Sequence, residues 1–214
     1  MLCRRPPETF LSSPSCLSSL RLSDVSLGVG CSDDGTSDLC ELRVSASDLV
    51  DSSYQFSWPR LANLFAFEYD YAASELGIDH FVDVDCNVIP LGPAGRILPC
   101  LRTLPMEFSW SMFFCNSVLV ENMVEAAERH GMTHEEALPL VVTDDGPMPI
   151  LSLKRPLLLL HVDDGNSLHW SESDAIAYGV HLSQVLYEHG LAFRVECAGT
   201  ATHEMLGITL RASE

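Results

Sequence analysis

A chain of 214 residues with 47% hydrophobic and 20% charged side chains can bury a core and is too apolar to be a disordered segment. No apolar run approaches the length of a membrane span, and no apolar segment behind Arg4 and Arg5 suggests a secretory signal. The formal net charge of −18, with Lys154 as the single lysine, weighs against tight duplex binding and leaves Arg60, Arg96, Arg102 and Arg155 as candidates to line a groove.

In chain order, residues 1–40 are rich in Ser, Pro and Asp without periodicity and read as an irregular lead-in, with one domain over 41–214. Residues 42–56 read as a strand that breaks at Asp51-Ser52, and 60–76 as an apolar helix or strand. Pro90 to Gly95 forms a turn before a strand-like Arg96 to Leu104. The clearest helix is Ser111 to His130, with Val118, Leu119, Met123 and Val124 at helical spacing and Gly131 as its stop. Phe113 and Phe114, with Phe108 and Trp110, read as core aromatics. A second helix runs from about Ser173 to His189, capped by Ser171 or Ser173 and stopped by Gly190. Strands follow at 191–196 and 205–210. The order predicts an α+β fold, helices behind a mainly antiparallel sheet.

Asp-Asp-Gly occurs at residues 33–35, 144–146 and 163–165, and only the last follows a strand-like run, Leu157 to Leu160. His161-Val162-Asp163-Asp164 followed by Ser167-Leu168-His169-Trp170 therefore predicts a hairpin with two acids at its tip. Adjacent carboxylates at the end of a buried strand need compensation, which a divalent cation with oxygen ligands provides. Asp48, in a similar setting upstream, would complete a three-acid site. His130 and His134 do not make a convincing metal pair because Gly131 breaks their helix, and Asp79, Asp83 and Asp85 read as a solvated loop. The eight cysteines lack any Cys-x-x-Cys pair and read as free thiols in a reducing, intracellular compartment.

Read in order, these motifs resemble the palm of retroelement-type reverse transcriptases. Asp48-Leu49-Val50-Asp51-Ser52-Ser53 looks like the first palm motif, Leu104-Pro105-Met106-Glu107-Phe108-Ser109 the second, and His161-Val162-Asp163-Asp164 the third. Gly190-Leu191 and Leu206-Gly207-Ile208 are similar to the fourth and fifth, and residues 5–20 to a finger segment. The resemblance implies an RNA-directed DNA polymerase palm with truncated fingers and no thumb after Glu214. It implies Asp48, Asp163 and Asp164 as catalytic acids that, with the Leu49 carbonyl, hold two Mg²⁺ ions, Mn²⁺ being a substitute. It also implies nucleotide contacts from Asp51, Ser53, Met106 and Glu107, a primer grip at Leu206 and Gly207, and template-primer and nucleoside triphosphates as partners, with no membrane.

The chain departs from the family's pattern at four places. Ser53 stands where an aromatic residue blocks the ribose 2′-hydroxyl, so poor rejection of ribonucleotides is expected. Glu107 replaces a glycine and would repel a triphosphate. His161 replaces a tyrosine, and the fourth motif has Arg194 in place of a proton-donating lysine. These departures make an impaired polymerase one expectation and a catalytically silent retroelement remnant, acting as an interaction module, the alternative. A metal-dependent phosphohydrolase using the same acids is a third.

Overall fold

The computed structural model describes residues 11–12, 21–22, 42–57, 60–61, 65–83, 85–105, 108–143, 146–147, 150–152, 155–205 and 208–211. The elements in chain order are β1 (Arg21–Leu22), β2 (Arg43–Leu49), α1 (Ser52–Gln55), β3 (Tyr71–Ala72), β4 (His80–Val82), β5 (Val88–Pro90) and β6 (Arg96–Ile97). They continue with α2 (Ser109–Arg129), α3 (His134–Ala137), a 3₁₀ turn at Leu138–Leu140, β7 (Val141–Val142), β8 (Ile150–Leu151), β9 (Leu157–His161) and β10 (Asp164–His169). α4 (Glu172–Glu188), β11 (Phe193–Thr200), β12 (Thr202–Met205) and β13 (Ile208–Arg211) close the order. The chain divides into two units, one formed by residues 1–52 and 107–214, the other by 53–106.

The larger unit is built on a sheet of five strands among the described residues, in the order β11-β2-β10-β9-β7, antiparallel except where β7 joins β9 in parallel. Period-2 alternation divides its faces. Leu49, Leu158 and Leu160 point to one side and share a core with Leu119, Met123, Tyr178, Leu182 and Val185 of α2 and α4. Val44, Leu157, Leu159 and Leu168 point to the other and pack with Val142, Leu151 and Met205. An all-leucine run is therefore buried on both sides, as a central strand requires. The α+β class and the helices behind an antiparallel-rich sheet match the sequence reading.

Both long helices end as their glycines predict. Gly131, at φ 103°, and Gly190, at φ 70°, follow the caps His130 and His189. Met132 N–H donates to the Ala127 carbonyl and Leu191 N–H to the Leu186 carbonyl, the six-to-one bond of a Schellman motif. At the start of α4 the Ser171 hydroxyl accepts from Asp174 N–H at 3.3 Å.

The helices approach the sheet closely because the strands beneath them carry small residues. A Cβ on Gly165 would lie 3.0 Å from Met123 Sδ and 3.3 Å from Leu119 Cδ1. Gly165→Val should therefore push α2 off the sheet and cost about 3 kcal/mol in urea unfolding, through overpacking. Beside it, the Ser45 hydroxyl donates to the Ala175 carbonyl at 2.7 Å and accepts from Gly199 N–H at 3.1 Å. On this face, buried His169 and Tyr178 lie with ring centroids 5.4 Å apart, and His130 stands 6.3 Å from His169 and 5.6 Å from His181.

Several expectations are corrected. Trp110, Phe113 and Phe114 do not enter either core; their rings pack on one another at 5.5–5.9 Å, and Phe114 is 41% exposed. The predicted strand at 205–210 is instead part of a hairpin in which β12 pairs antiparallel with β13. The strand predicted over 191–196 starts at Phe193 and runs on to Thr200. Of the lead-in, the described residues include β1, which pairs in parallel with β8, and Ser12, which is buried. Ser12 N–H donates to the Leu160 carbonyl at 2.9 Å, and its hydroxyl donates to the Val142 carbonyl at 2.7 Å.

The 53–106 unit is held by short elements. β3 pairs with β6, β4 with β5, and Leu61, Ala73 and Leu104 are buried. The helix or strand predicted over 60–76 is not continuous among the described residues. Its described part contains a single turn at residues 60–61, a bridge from Ala66 to Cys100, and β3. The predicted strand from Arg96 to Leu104 is confined to β6, followed by bridges at Cys100 and Thr103. Among the arginines expected to line a groove, Arg96 is held by Asp70, and Arg155, in the larger unit, by Glu136 at 2.9 Å. Among the described residues, no helix is long and apolar enough to cross a membrane.

Candidate metal centre

β9 and β10 form a hairpin in which His161 pairs with Asp164, leaving Val162 and Asp163 as a two-residue turn. Val162 has φ 58°. A positive φ at the first turn position matches the right-handed strand twist but normally calls for glycine. A β-branched side chain there is strained, and it turns Asp163 over the end of β2. Leu49 N–H donates to the Asp163 carbonyl at 3.1 Å, and the Ser52 hydroxyl approaches Asp163 Oδ2 at 3.5 Å. The tip is thereby latched to the strand that carries Asp48.

Register does the rest. Asp164 pairs directly with Asp48, and Asp48 with Arg194 on β11. His161, Asp164, Asp48 and Arg194 thus form a row across four strands, on the face opposite α2 and α4. One carboxylate oxygen from each of Asp48, Asp163 and Asp164 lies within 4.8 Å of the others, and all three residues are half-buried. A bulge follows Val195, and Glu196 at that bulge lies 3.8 Å from Arg194.

The electrostatics follow from crowding. Burial raises the Asp163 carboxyl, with the Asp48 charge adding and its own backbone hydrogen bond and Ser52 opposing. Asp164 is pushed up to about 6, first by burial and then by the charges of Asp163, Asp48 and Glu196. Arg194 answers part of this charge: its Nη2 lies 2.7 Å from Asp48 Oδ2. Three converging carboxylates are hard oxygen donors, and the strain of their like charges is what a divalent cation relieves, so the residues fit such an ion.

Neither a family model nor a curated protein sequence matches the chain.

The structure brings together three predicted acids, Asp48, Asp163 and Asp164. Leu49 is 1% exposed, with its side chain in the core beneath the site and its N–H on Asp163. Asp51 is exposed, in a turn with φ 49°. Ser53 is 8% exposed and belongs to the 53–106 unit. Met106, Glu107, Leu206 and Gly207 lie outside the described residues. Sequence reasoning missed Glu196, Ser52 and the Arg194–Asp48 contact; positions 194 and 196, two apart in a predicted strand, were the available signal for two of them.

Removing one crowded charge tests this electrostatic picture. The Asp164 carboxyl is raised in the folded state, so its contribution to stability is present below the unfolded value near 4 and is lost as pH rises through about 6. Asp164→Asn should stabilise the metal-free protein at pH 7 by about 1 kcal/mol, after discounting for its partial exposure. It should also flatten urea-unfolding stability between pH 4 and 6.

Proposed function

We propose that the chain is a reverse-transcriptase-like palm that performs template-directed nucleotidyl transfer as an RNA-directed DNA polymerase. The observation that carries this reading is the convergence of Asp48 with the hairpin acids Asp163 and Asp164, oxygens within 4.8 Å, on the sheet face away from the two long helices. In the reaction the primer 3′ oxygen bonds to the α-phosphorus, the bond to the β-phosphate oxygen breaks, and pyrophosphate leaves with that electron pair. The hydroxyl proton passes to solvent.

When a divalent metal is bound (Mg²⁺, or Mn²⁺ in its place), its contribution is to acidify the hydroxyl and offset charge on the departing oxygens. Asp48 and Asp163 would hold it from two different elements, with the turn at Asp163 tied to β2 through Leu49 N–H and approached by the Ser52 hydroxyl. Asp164 would add a third oxygen ligand. The resemblance adds the Leu49 carbonyl as a further ligand and Asp51, Met106 and Glu107 as nucleotide contacts. The resemblance also assigns Ser53 to the sugar position, from which poor rejection of ribonucleotides is expected.

A silent interaction module is the second reading, favoured by Arg194, which already neutralises Asp48. Primer extension on an RNA template with Mg²⁺ or Mn²⁺, run beside hydrolysis of a simple phosphate ester, separates the readings. Extension without ester hydrolysis is expected. Hydrolysis alone would identify a phosphohydrolase, and a folded protein inactive in both assays would be the silent module.

A further inference from the structure

We propose that Arg194 is an internal competitor for divalent metal at Asp48, released onto Glu196 when the metal binds; this rests on the reading of the three acids as a metal centre. Arg194 is fixed opposite Asp48 by strand register, and its Nη2 occupies the Asp48 carboxylate at 2.7 Å. That carboxylate is one of the three whose oxygens lie within 4.8 Å. One carboxylate thus serves two cations in turn. A guanidinium at hydrogen-bonding distance opposes a divalent ion both by holding the ligand and by charge repulsion.

Departure is built into the same strand. The Arg194 side chain is 65% exposed, whereas Asp48 is 19% exposed, so the arginine can swing while its partner stays in place. The bulge after Val195 sets Glu196 within 3.8 Å of the same Nη2. A short rotation transfers the guanidinium from one carboxylate to the next without leaving it unpaired. Arg194 and Glu196 are therefore positioning residues that set metal affinity.

The test is Mn²⁺ binding to the full chain by isothermal titration, with electron paramagnetic resonance of free Mn²⁺ as a second readout. Arg194→Gln should bind Mn²⁺ about fivefold more tightly than wild type, the size expected for losing one partly exposed ion pair. Arg194→Lys, which keeps the charge but not the guanidinium, should fall between them. Glu196→Gln should weaken binding more in the wild type than in the Arg194→Gln background, because only the former needs a place for the arginine. Asp163→Asn should abolish binding in every background. Unchanged or weaker binding in Arg194→Gln, with Asp163-dependent binding intact, would overturn the role of Arg194 alone. Absence of Mn²⁺ binding in all the folded variants would overturn the metal centre and this inference together.

Discussion

Asp48→Asn and Asp163→Asn should each lower template-directed extension by about a thousandfold while leaving the fold intact. The two residues reach the site by different routes, one from the end of β2 and one from the tip of the β9–β10 hairpin. Each substitution keeps the volume and removes a charge, so neither opens a cavity. Because the three acids crowd one another, losing one charge should leave thermal stability equal or slightly raised. Circular dichroism and urea unfolding check that the variants remain folded. A variant that keeps its extension rate would remove that carboxylate from the chemistry.

Acid should destabilise the protein through His169. This ring is 4% exposed, and its value is lowered to about 3, by burial first and the nearby His130 charge second. A histidine depressed in the folded state contributes stability that is fully present above its unfolded value near 6.5 and is lost as pH falls toward 3. From pH 6.5 to 4 the loss should reach roughly 3 kcal/mol, at about 1.4 kcal/mol per unit. His181 is lowered as well, by burial and then by His130 and Arg129, and acts with the same sign. Asp164 acts with the opposite sign over part of this window, so urea-unfolding curves are best compared in the Asp164→Asn background. There, His169→Gln should remove most of the slope between pH 6.5 and 4. An unchanged slope would mean that His169 titrates near its ordinary value.

The elements legible in the sequence are those fixed by local chemistry. Ser171 caps α4, Gly131 and Gly190 close the two long helices, and Leu157 to Leu160 is too uniformly apolar to be anything but a buried strand or helix segment. The hairpin at Asp163 was legible because two short strand-like runs flank it, but the turn falls one residue early, on Val162 and Asp163, and Asp164 already pairs with His161 in β10. Residues 60–76 were not, since an apolar stretch without sustained periodicity specifies burial but no element. The bulge after Val195, which brings Glu196 to Arg194, depends on how β11 lies against β2, 146 residues away in the Arg194–Asp48 pair. The same holds for Ser12, which reaches β7 and β9 across the chain. The charge row His161, Asp164, Asp48 and Arg194 is a product of register, and register is invisible until strands are paired. Three acids of the centre were found because motifs carry them; the groups that tune them were not, because nothing local marks them.

The most direct measurement is single-nucleotide incorporation on four RNA templates that differ only in the first unpaired base, with Mn²⁺ present and Asp163→Asn as the control. Each template should direct addition of its complementary deoxynucleotide by the unaltered chain, with no detectable addition by the variant. Addition that ignores the template base, or equal addition by Asp163→Asn, would contradict the proposed function.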